Sequence, residues 1–559
     1  MVSKDPIFKA VCDRQNNLIT KTNVSLSGER SLCLETQSLN LATRERQIQS
    51  SDSSSTISDL SVSNGSLSWF LDALPKILKL VISQNGKAYV EIESEGNNYA
   101  VSVGSKRLNN LIREYASQNK IKLRKNDLGD INSHLQALAE IFGKKRSVWY
   151  RVAPIDQGVL IDLGGESHIH VKVTQGKVET VVNGSEILFY RTATQLPMVV
   201  PAELGNLGLL DKYLNLSAPD ILLFKAWLSY TLAHPKVDES KYVILLLQAT
   251  QGSGKSFLCR NIILGLLDPS LVNVQILPNK LNDLAIAAQN SHVLCYDNLR
   301  YLSHQISDAL CIASTGGSMA TRKLYSDDEQ QILNIHVALV LNGIYNFVDQ
   351  PDLAQRCLPI EMLELKPENR KSEGTLVAEL QLELPVIFRG LLDLIAGVLA
   401  HLPNVELQSP ERMVDFSKWL AAMELYQPVP VGVYQSLYTS VVQQGQLDSL
   451  LENVVADALL QLLEYNDETD WSGTPTQLLN ALERLIPAGT KKSRDWPTNP
   501  IALSKRLKPL QGSLATQGVR LAFTRGKERY INITYDNSKG KSYAKNSKHD
   551  ASVADDDRF

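Results

Sequence analysis

In the first half of the chain, apolar residues repeat along the sequence with two different periods. Some short runs place apolar residues at every second position, as in half-buried strands, whereas two longer segments repeat them every three to four positions, as in amphipathic helices. The strand-like runs are 88–93, 159–162, 168–173 and 177–182, and the helical segments lie near 107–118 and 130–142. This mixture predicts an N-terminal α+β accessory region over residues 68–235.

The pattern changes after residue 235. Residues 236–365 alternate short apolar runs with helical segments, which is typical of a parallel sheet covered by helices. Residues 366–465 carry long helical patterns, and residues 466–535 carry helices followed by two short strands. We therefore expect an α/β protein in which a parallel-sheet core lies between the accessory region and a helical region.

The two ends of the chain have no such pattern. Residues 50–66 contain nine serines in seventeen positions, a composition that cannot bury enough apolar surface to fold. We predict that residues 1–67 are a disordered or unassigned N-terminal segment ending in this linker. Residues 536–559 are rich in serine and lysine and then acidic, which predicts a disordered tail.

Composition excludes several classes of protein. The chain has 559 residues, a net charge of −3 and no apolar run near the ~18 residues that cross a bilayer, so we expect a cytoplasmic protein without a membrane partner. Its six cysteines show no CxxC spacing, and four of them lie in apolar segments, which indicates buried thiols rather than disulfides or zinc ligands. Because the whole chain is not basic, any nucleic-acid site must be local.

A phosphate-binding loop is the strongest motif. The apolar strand 242–247 runs into a loop rich in small residues, and a helix starts near Lys255. Such a loop presents successive N–H groups to a triphosphate, the lysine reaches its outer phosphates, and Ser256 supplies a hydroxyl to Mg²⁺. Ala249 replaces the usual first glycine. The predicted ATP contacts are Ala249, Gln251, Gly252, Ser253, Gly254, Lys255, Ser256 and Phe257.

A second acidic position follows another apolar run. Residues 292–296 predict a strand, and Asp297 comes at its carboxyl end, where open parallel sheets bind ligands. Its carboxylate is suited to hold Mg²⁺ together with Ser256, although an Asp-Asn pair also ends strands as a turn. Asn298 follows where many ATPases have a glutamate, and an amide orients water but cannot accept its proton.

Two further polar residues complete the candidate site. Asn342 follows the apolar run 337–341, so we expect its amide to contact the γ-phosphate or the attacking water, unless it is only a turn residue before Gly343. Arg356 follows a short helix and precedes another strand. A guanidinium there is suited to complete the site of a neighbouring subunit, the alternative being a surface arginine.

Taken together, these segments resemble the ATPase core of superfamily 3 helicases, within the AAA+ class, of the phage, plasmid and poxvirus primase-helicase type. The matching segments are ATQGSGKS, VLCYDN, STGGSMATRKLYSDDEQ, VALVLNG and DLAQR. The resemblance implies a hexameric or similar ring with ATP between subunits, and a hairpin whose Arg322 and Lys323 grip DNA inside the ring.

A wider resemblance covers residues 75–535. It is to ATP-binding proteins of prophages and other mobile elements, through RVAPIDQGVLIDLG at 151–164 and RMVDFSKW at 412–419. The resemblance implies a role in replicating such an element. The N-terminal part lacks a DxD-plus-His primase cluster, so a separate primase or polymerase is a possible partner.

A basic segment lies near the C-terminus. Residues 491–530 hold ten lysines and arginines against two acidic residues, which indicates an electrostatic footprint for phosphate. We predict a helix that Trp496 and Pro497 open and Pro509 ends, followed by strands 519–523 and 529–533. This order resembles a winged helix, which binds either DNA or protein. The predicted DNA contacts are Lys505, Arg506 and Lys508 on the helix and Arg525 and Lys527 on the wing.

The leading hypothesis is an ATP-driven helicase or translocase ring that acts on single-stranded or forked DNA. The main alternative is a nucleotide-switched DNA-binding ATPase that acts at an origin or loads a partner with little unwinding, which Asn298 favours. A third hypothesis is an ATPase that serves a nuclease or transposase. All three require ATP, Mg²⁺ and Lys255.

Overall fold

A computed structural model describes residues 78–536 apart from short gaps, and these residues belong to one compact unit. The gaps are 95–96, 125, 166–167, 183–185, 250–251, 323–329, 345–346, 366–370, 408–409, 467–469, 494 and 525–528. The predictions for residues 1–67, for the tail beyond Asp536, and for Gln251, Lys323, Arg525 and Lys527 lie outside the described residues.

The accessory region forms two sheets and two helices. In chain order its elements are β1 (Lys79–Ile82), β2 (Ala88–Ser94), β3 (Asn97–Ser102), α1 (Lys106–Gln118), α2 (Asp127–Phe142), β4 (Lys144–Lys145), β5 (Val148–Trp149), β6 (Val152–Ile155), β7 (Gly158–Asp162), β8 (Ile169–Thr174), β9 (Lys177–Val182) and β10 (Leu188–Tyr190). The sheet orders are β4-β1-β2-β3-β10-β5 and β6-β7-β8-β9. Strand and helix patterns predicted from the sequence are confirmed here.

Helix α1 illustrates why these patterns were predictive. Its buried residues Leu108, Ile112 and Ala116 recur every four positions, and they pack with Val90 and Val101 of the sheet. The side chain of Ser105 caps the helix by accepting a hydrogen bond from the N–H of Leu108. The spacing of the apolar residues and the capping serine therefore both indicate the same helix.

The core of the molecule follows a 3-10 helix at Leu207–Tyr213. Its elements are α3 (Ala218–Ala233), β11 (Ile244–Gln248), α4 (255–267, with a π-helical turn at Leu258–Ile263), α5 (Leu281–Gln289), β12 (Val293–Leu299), α6 (His304–Thr315), β13 (Gly317–Arg322), β14 (Gln330–Ile335), β15 (Ala338–Gly343), α7 (Pro351–Ala354) and β16 (Cys357–Glu361). The sheet order is β12-β15-β11-β16, and all pairs are parallel, as predicted. Strands β13 and β14 form a separate antiparallel hairpin.

The two faces of the parallel sheet have different coverings. Side chains of β11 alternate, so that Leu245 and Leu247 pack with helix α4 on one face, whereas Ile244 and Leu246 pack with α5 and α6 on the other. The α4 face belongs to an apolar core that continues into strands β7 and β8 of the accessory region. Accessory region and parallel sheet are thus packed as one body.

The helical region and the C-terminal part follow. Their elements are α8 (Glu373–His401), α9 (Val414–Tyr426), α10 (Val433–Glu452), α11 (Val454–Asn466), β17 (Asp470–Gly473), α12 (Pro475–Leu485), α13 (Ala488–Lys491), α14 (Pro500–Thr516), β18 (Val519–Thr524) and β19 (Tyr530–Tyr535). The last three strands form an antiparallel sheet in the order β17-β19-β18. Strand β17 was not predicted. We call residues 454–536 the C-terminal module.

The prediction that Pro509 ends the basic helix is wrong. Helix α14 begins at Pro500, where Asn499 caps it, and it continues through Pro509 to Thr516. A proline removes one main-chain hydrogen bond, but Leu510 and Leu514 beyond it are buried in the module's core. Burial of these side chains outweighs the lost bond, and the exposed position of Pro509 leaves its ring free of the packed face.

Two expectations from composition can be compared with the structure. Cys259, Cys295, Cys311 and Cys357 are buried free thiols, as predicted. Within the described part of the chain, no helix combines the length and apolar character needed to cross a membrane.

Candidate nucleotide site

The loop between β11 and α4 turns through two glycines. Gly252 and Gly254 have φ angles of 81° and 92°, in the left-handed region that glycine adopts without strain. No atom lies within 4 Å of where a Cβ of Gly252 would be, so open space adjoins the loop. Ala249 is buried at the strand's end, where its side chain packs in the apolar core. An alanine is therefore accommodated at the position where glycine is usual.

Lys255 begins helix α4 and reaches back over the loop. Its Nζ donates a hydrogen bond to the carbonyl oxygen of Ala249 at 2.7 Å. Partial burial lowers the pKa of Lys255, and the nearby carboxylate of Asp297 opposes that shift. The ammonium group therefore lies at the loop with an acidic neighbour.

The structure brings Ser256 and Asp297 together. The Oγ of Ser256 donates to Oδ2 of Asp297 at 3.4 Å, although 41 residues separate them in the chain. Asp297 lies within β12 rather than at its end, and Asn298 after it has a φ of 59°, where the pairing with β15 shifts register. This bulge was not predicted. The main-chain N–H of Asn298 donates to Oδ1 of Asp297 at 2.7 Å, which orients the carboxylate.

Asn342 lies on β15, between the strands that carry the loop and Asp297. It pairs in register with Leu247, and alternation along β15 places it on the same face as Ala338 and Val340, which is the α4 face. The side chain is fully buried, and neither its Oδ1 nor its Nδ2 has a hydrogen-bond partner. A buried amide without a partner costs about 1–3 kcal/mol, and among the described residues no group satisfies this one.

Arg356 lies at the opposite edge of the sheet. It directly precedes β16, whose first residue, Cys357, pairs with Ile244 at the start of β11, about 16 Å of strand away from the loop. Its Nη2 lies 3.3 Å from Oδ2 of Asp352, and Arg412 contacts the other oxygen of that carboxylate at 2.6 Å. Arg356 is therefore remote from the loop of its own subunit.

These residues fit a triphosphate with Mg²⁺. Hydroxyl and carboxylate oxygens are the ligands that Mg²⁺ takes from proteins, alongside water and substrate phosphate oxygens. Ser256 and Asp297 supply one of each, the loop has space for phosphate, and Asn342 has unused donor and acceptor atoms. No group of three or more histidine, cysteine, aspartate or glutamate side chains that could hold a metal occurs in the part of the chain that is described.

One residue near the loop escaped the sequence analysis. Asn215 follows the 3-10 helix, and its Nδ2 donates to the carbonyl oxygens of Ser253, at 3.2 Å, and Leu363. It thereby ties the loop to the segment after β16. Nothing in the sequence near Asn215 indicates this contact, because its partners lie 38 and 148 positions away.

The predicted DNA-contacting residues lie on elements other than those that carry this site. Arg322 is the last residue of β13 in the antiparallel hairpin. Lys505 and Lys508 are exposed on α14, with the Nζ of Lys508 5.8 Å from the ring centre of Phe523. Arg506 instead donates a hydrogen bond to the carbonyl oxygen of Asp495, which anchors the start of the helix.

Comparison with known families supplies a biological context. Residues 213–441 match the family described as actinomycete integrative conjugative element replication protein, and residues 455–548 match the C-terminal domain of the same replication protein, RepA. The chain is similar to replication proteins of mobile elements. The narrower assignment to superfamily 3 stays a prediction. No curated protein matches the chain.

Comparison with solved structures gave only distant likenesses. The apo C-terminal region of NrS-1 matches at 13% identity and a TM-score of 0.37, over 84% of this chain and 99% of that one. The SCCmec type IV Cch active helicase matches at 10% identity and a TM-score of 0.38, over 82% of this chain and 93% of that one.

Proposed function

We propose that the protein is an ATP-dependent DNA helicase or translocase involved in the replication of a phage, plasmid or other mobile element, acting as a hexameric or similar ring. The observation that carries this proposal is the convergence of Lys255, Ser256, Asp297 and Asn342 on one face and edge of the parallel sheet. The similarity to replication proteins of mobile elements supports the process in which the ATPase would act.

In the proposed reaction the chain's own residues bind and orient the substrate. Lys255 and the main-chain N–H groups around Gly252 and Gly254 would hold the outer phosphates, and Ser256 and Asp297 would hold Mg²⁺. The metal supplies neutralisation of charge on the transferring phosphoryl group. Asn342 would donate its amide N–H to the γ-phosphate or orient the attacking water. Because its side chain is fully buried, nucleotide binding would have to expose it.

A neighbouring subunit would complete the site. Arg356 would serve another subunit rather than its own, and its position at the end of the sheet opposite its own loop supports this role. Asp352 holds the guanidinium in place, and Arg412 shares that carboxylate. Burial favours the neutral carboxyl of Asp352, but hydrogen bonding from Cys311 and the charges of the two arginines outweigh it and lower the pKa. Asp352 would thus stay ionised and keep Arg356 oriented.

Two elements would contact DNA. The β13–β14 hairpin, whose first strand ends at Arg322, would grip the DNA strand in the ring's centre through Arg322 and Lys323. The C-terminal module would bind DNA as a winged helix, which is supported by its order of helix, strand, two principal helices and two strands. Lys505 and Lys508 lie on its exposed helix face. A host primase or polymerase would act with the ring.

The alternative is a nucleotide-switched DNA-binding ATPase. Asn298 favours it, because the residue next to Asp297 carries an amide that cannot take a proton from water. The left-handed backbone of Asn298 also belongs to the bulge that orients Asp297, which gives the residue a structural reason to be there. The two proposals share nucleotide binding and differ in turnover.

ATP turnover with single-stranded and forked DNA tests the proposal. Lys255→Ala should reduce turnover at least a hundredfold, whereas Lys177→Ala, which removes an exposed lysine from β9, should leave it unchanged. Unwinding of the fork by the wild-type protein and not by Lys255→Ala would support the motor. Wild-type turnover no greater than that of Lys255→Ala would favour the switch, and equal ATP affinity in the two proteins would contradict both.

A further inference from the structure

Helix α4 and strand β12 are held together by non-covalent contacts at three places along their length. At the loop end, Ser256 bonds Asp297 at 3.4 Å. In the middle, Cys259 and Cys295 are both buried in the same apolar core. At the far end, Asp268, which follows the last turn of α4, accepts hydrogen bonds from the main chain where β12 begins.

The far level depends on one buried carboxylate. Asp268 is 1% exposed, and its Oδ2 accepts from the N–H groups of His292, at 2.6 Å, and Val293, at 3.4 Å. These bonds fix the start of β12 against the end of α4. Because Val293, Cys295 and Asp297 lie on the same face of one strand, a displacement at the start of β12 is carried along it to the Asp297 carboxylate.

The other oxygen of this carboxylate is held by the accessory region. Arg151 is fully buried, and its Nε and Nη2 each lie 3.0 Å from Oδ1 of Asp268. Its Nη2 also donates to the carbonyl oxygens of Leu196 and Pro269, at 3.1 Å each. The hydroxyl of Tyr150 donates to the same Oδ1 at 3.3 Å. The guanidinium thus links the chain at Arg151, directly before β6, to the segment around Leu196 and to the end of α4 at Asp268 and Pro269.

The backbone of Arg151 is adapted to this position. Its φ is 62°, a left-handed conformation that is uncommon for a residue with a long side chain. The strain is maintained because the residue's carbonyl accepts from the N–H of Asp162 at 2.8 Å and its guanidinium is bonded on several sides. A structure that only needed a buried apolar contact here would not require a strained, charged residue.

We propose that Arg151 and Asp268 are a positioning pair for the Mg²⁺ site formed by Ser256 and Asp297. The pair fixes the position of β12 along the length of α4. That position determines the distance between the Oγ of Ser256 and the carboxylate of Asp297 at the loop end of the two elements. Neither residue contacts the nucleotide, so their effect is on metal geometry rather than on the loop. This inference rests on the proposed nucleotide site.

The affinity for Mg²⁺ is the property that substitution of Arg151 or Asp268 should change most. Mg²⁺ demands near-octahedral geometry with oxygens at about 2.0–2.1 Å, so a small displacement of Asp297 weakens it, whereas phosphate contacts made by the loop tolerate that displacement. The affinity for a fluorescent, non-hydrolysable ATP analogue is measured without metal and as a function of Mg²⁺ concentration. Binding is therefore read without relying on turnover.

Asp268→Asn is the principal variant, since its amide oxygen can still accept from His292 while its NH₂ faces the guanidinium. We expect the Mg²⁺ midpoint to rise about tenfold and metal-free affinity to change less than twofold. Arg151→Lys keeps the positive charge but loses the paired guanidinium hydrogen bonds to Asp268, and it should raise the Mg²⁺ midpoint about threefold. If Asp268→Asn does not fold, Arg151→Lys carries the test.

A second, largely buried pair provides the control. The side chain of Glu91 is 8% exposed, and its Oε2 accepts a hydrogen bond from Nη1 of Arg146 at 2.7 Å within the accessory region. Glu91→Gln should lower thermal stability but leave the Mg²⁺ midpoint within twofold of wild type. Equal shifts in all three variants, or no shift in Asp268→Asn and Arg151→Lys, would overturn the inference. If wild type and Lys255→Ala bind the analogue equally, the proposed function fails instead.

Discussion

The candidate nucleotide site and the basic face of the C-terminal module both carry lysines, but they hold them differently. Lys255 bonds a main-chain carbonyl, lies near Asp297 and is flanked by buried strands, so its position is set by contacts. Lys505 and Lys508 project from an exposed helix face. A site built by fixed contacts is suited to chemistry that depends on geometry, whereas exposed charge is suited to attraction along a polyanion.

The sharpest test of this contrast is Asp297→Asn. The substitution keeps the size of the side chain but removes the charge that would hold Mg²⁺ beside Ser256, so ATP turnover should fall about a hundredfold. Metal-free nucleotide affinity, measured by titration, should stay within about threefold. A variant that retains more than a tenth of wild-type turnover would show that Asp297 is not a metal ligand.

A fall in pH should destabilise the parallel-sheet core but not the C-terminal module, and this difference should be nearly as large as the effect of Asp297→Asn. Burial lowers the pKa of His292 to about 4, and its ring bonds the carbonyl oxygen of Thr231, whereas residues 454–536 contain no histidine. A histidine with a lowered folded pKa contributes stability that is present above the unfolded pKa of 6.5 and is lost as the pH falls toward 4. At pH 4.5 the loss is about 2.5 kcal/mol.

Hydrogen exchange at pH 7 and pH 4.5, after correction for the intrinsic rate, would measure this effect. Peptides from the parallel-sheet core should lose protection and those from α14 should keep it. His292→Gln, whose amide can still donate to Thr231 but does not ionise, should reduce the loss. Equal loss of protection in both regions would contradict the assignment of acid sensitivity to buried histidines.

A third prediction concerns the remote arginine. Arg356→Ala should reduce turnover about tenfold or more while leaving nucleotide affinity unchanged, because the residue would act in a neighbouring site. Mixing Arg356→Ala with Lys255→Ala should restore part of the activity, since some interfaces then combine an intact loop with an intact arginine. Arg389→Ala, which breaks a comparable arginine–aspartate pair on α8, is the control and should change little. No recovery on mixing would place Arg356 outside the site.

The smallest effects belong to the C-terminal module. Lys505→Ala and Lys508→Ala should each weaken DNA binding about three- to fivefold and reduce the slope of log affinity against log salt by roughly one. Arg506→Ala should change the slope less, because that guanidinium bonds the carbonyl of Asp495. Binding isotherms at several salt concentrations measure this. Unchanged slopes for both lysine variants would favour a protein partner for this face.

Sequence analysis was most successful where a signal is local. Apolar periods located α1, the parallel strands and the helices beyond residue 372, since side-chain alternation and burial follow directly from residue order. It failed at Pro509, because a local helix-breaking preference was outweighed by burial of Leu510 and Leu514. It also missed β17, a strand of four residues, Asp470–Gly473, with almost no apolar pattern.

The sequence by itself determined which residue types could bind phosphate and metal, and on which kinds of element they lie. Only the tertiary structure decided that β15 separates β11 from β12, which places Asn342 between the loop and Asp297. It also decided that Arg151 bonds Asp268 across 117 positions. Such contacts depend on how sheets and helices pack, and packing is a property of the whole chain that no local spacing encodes.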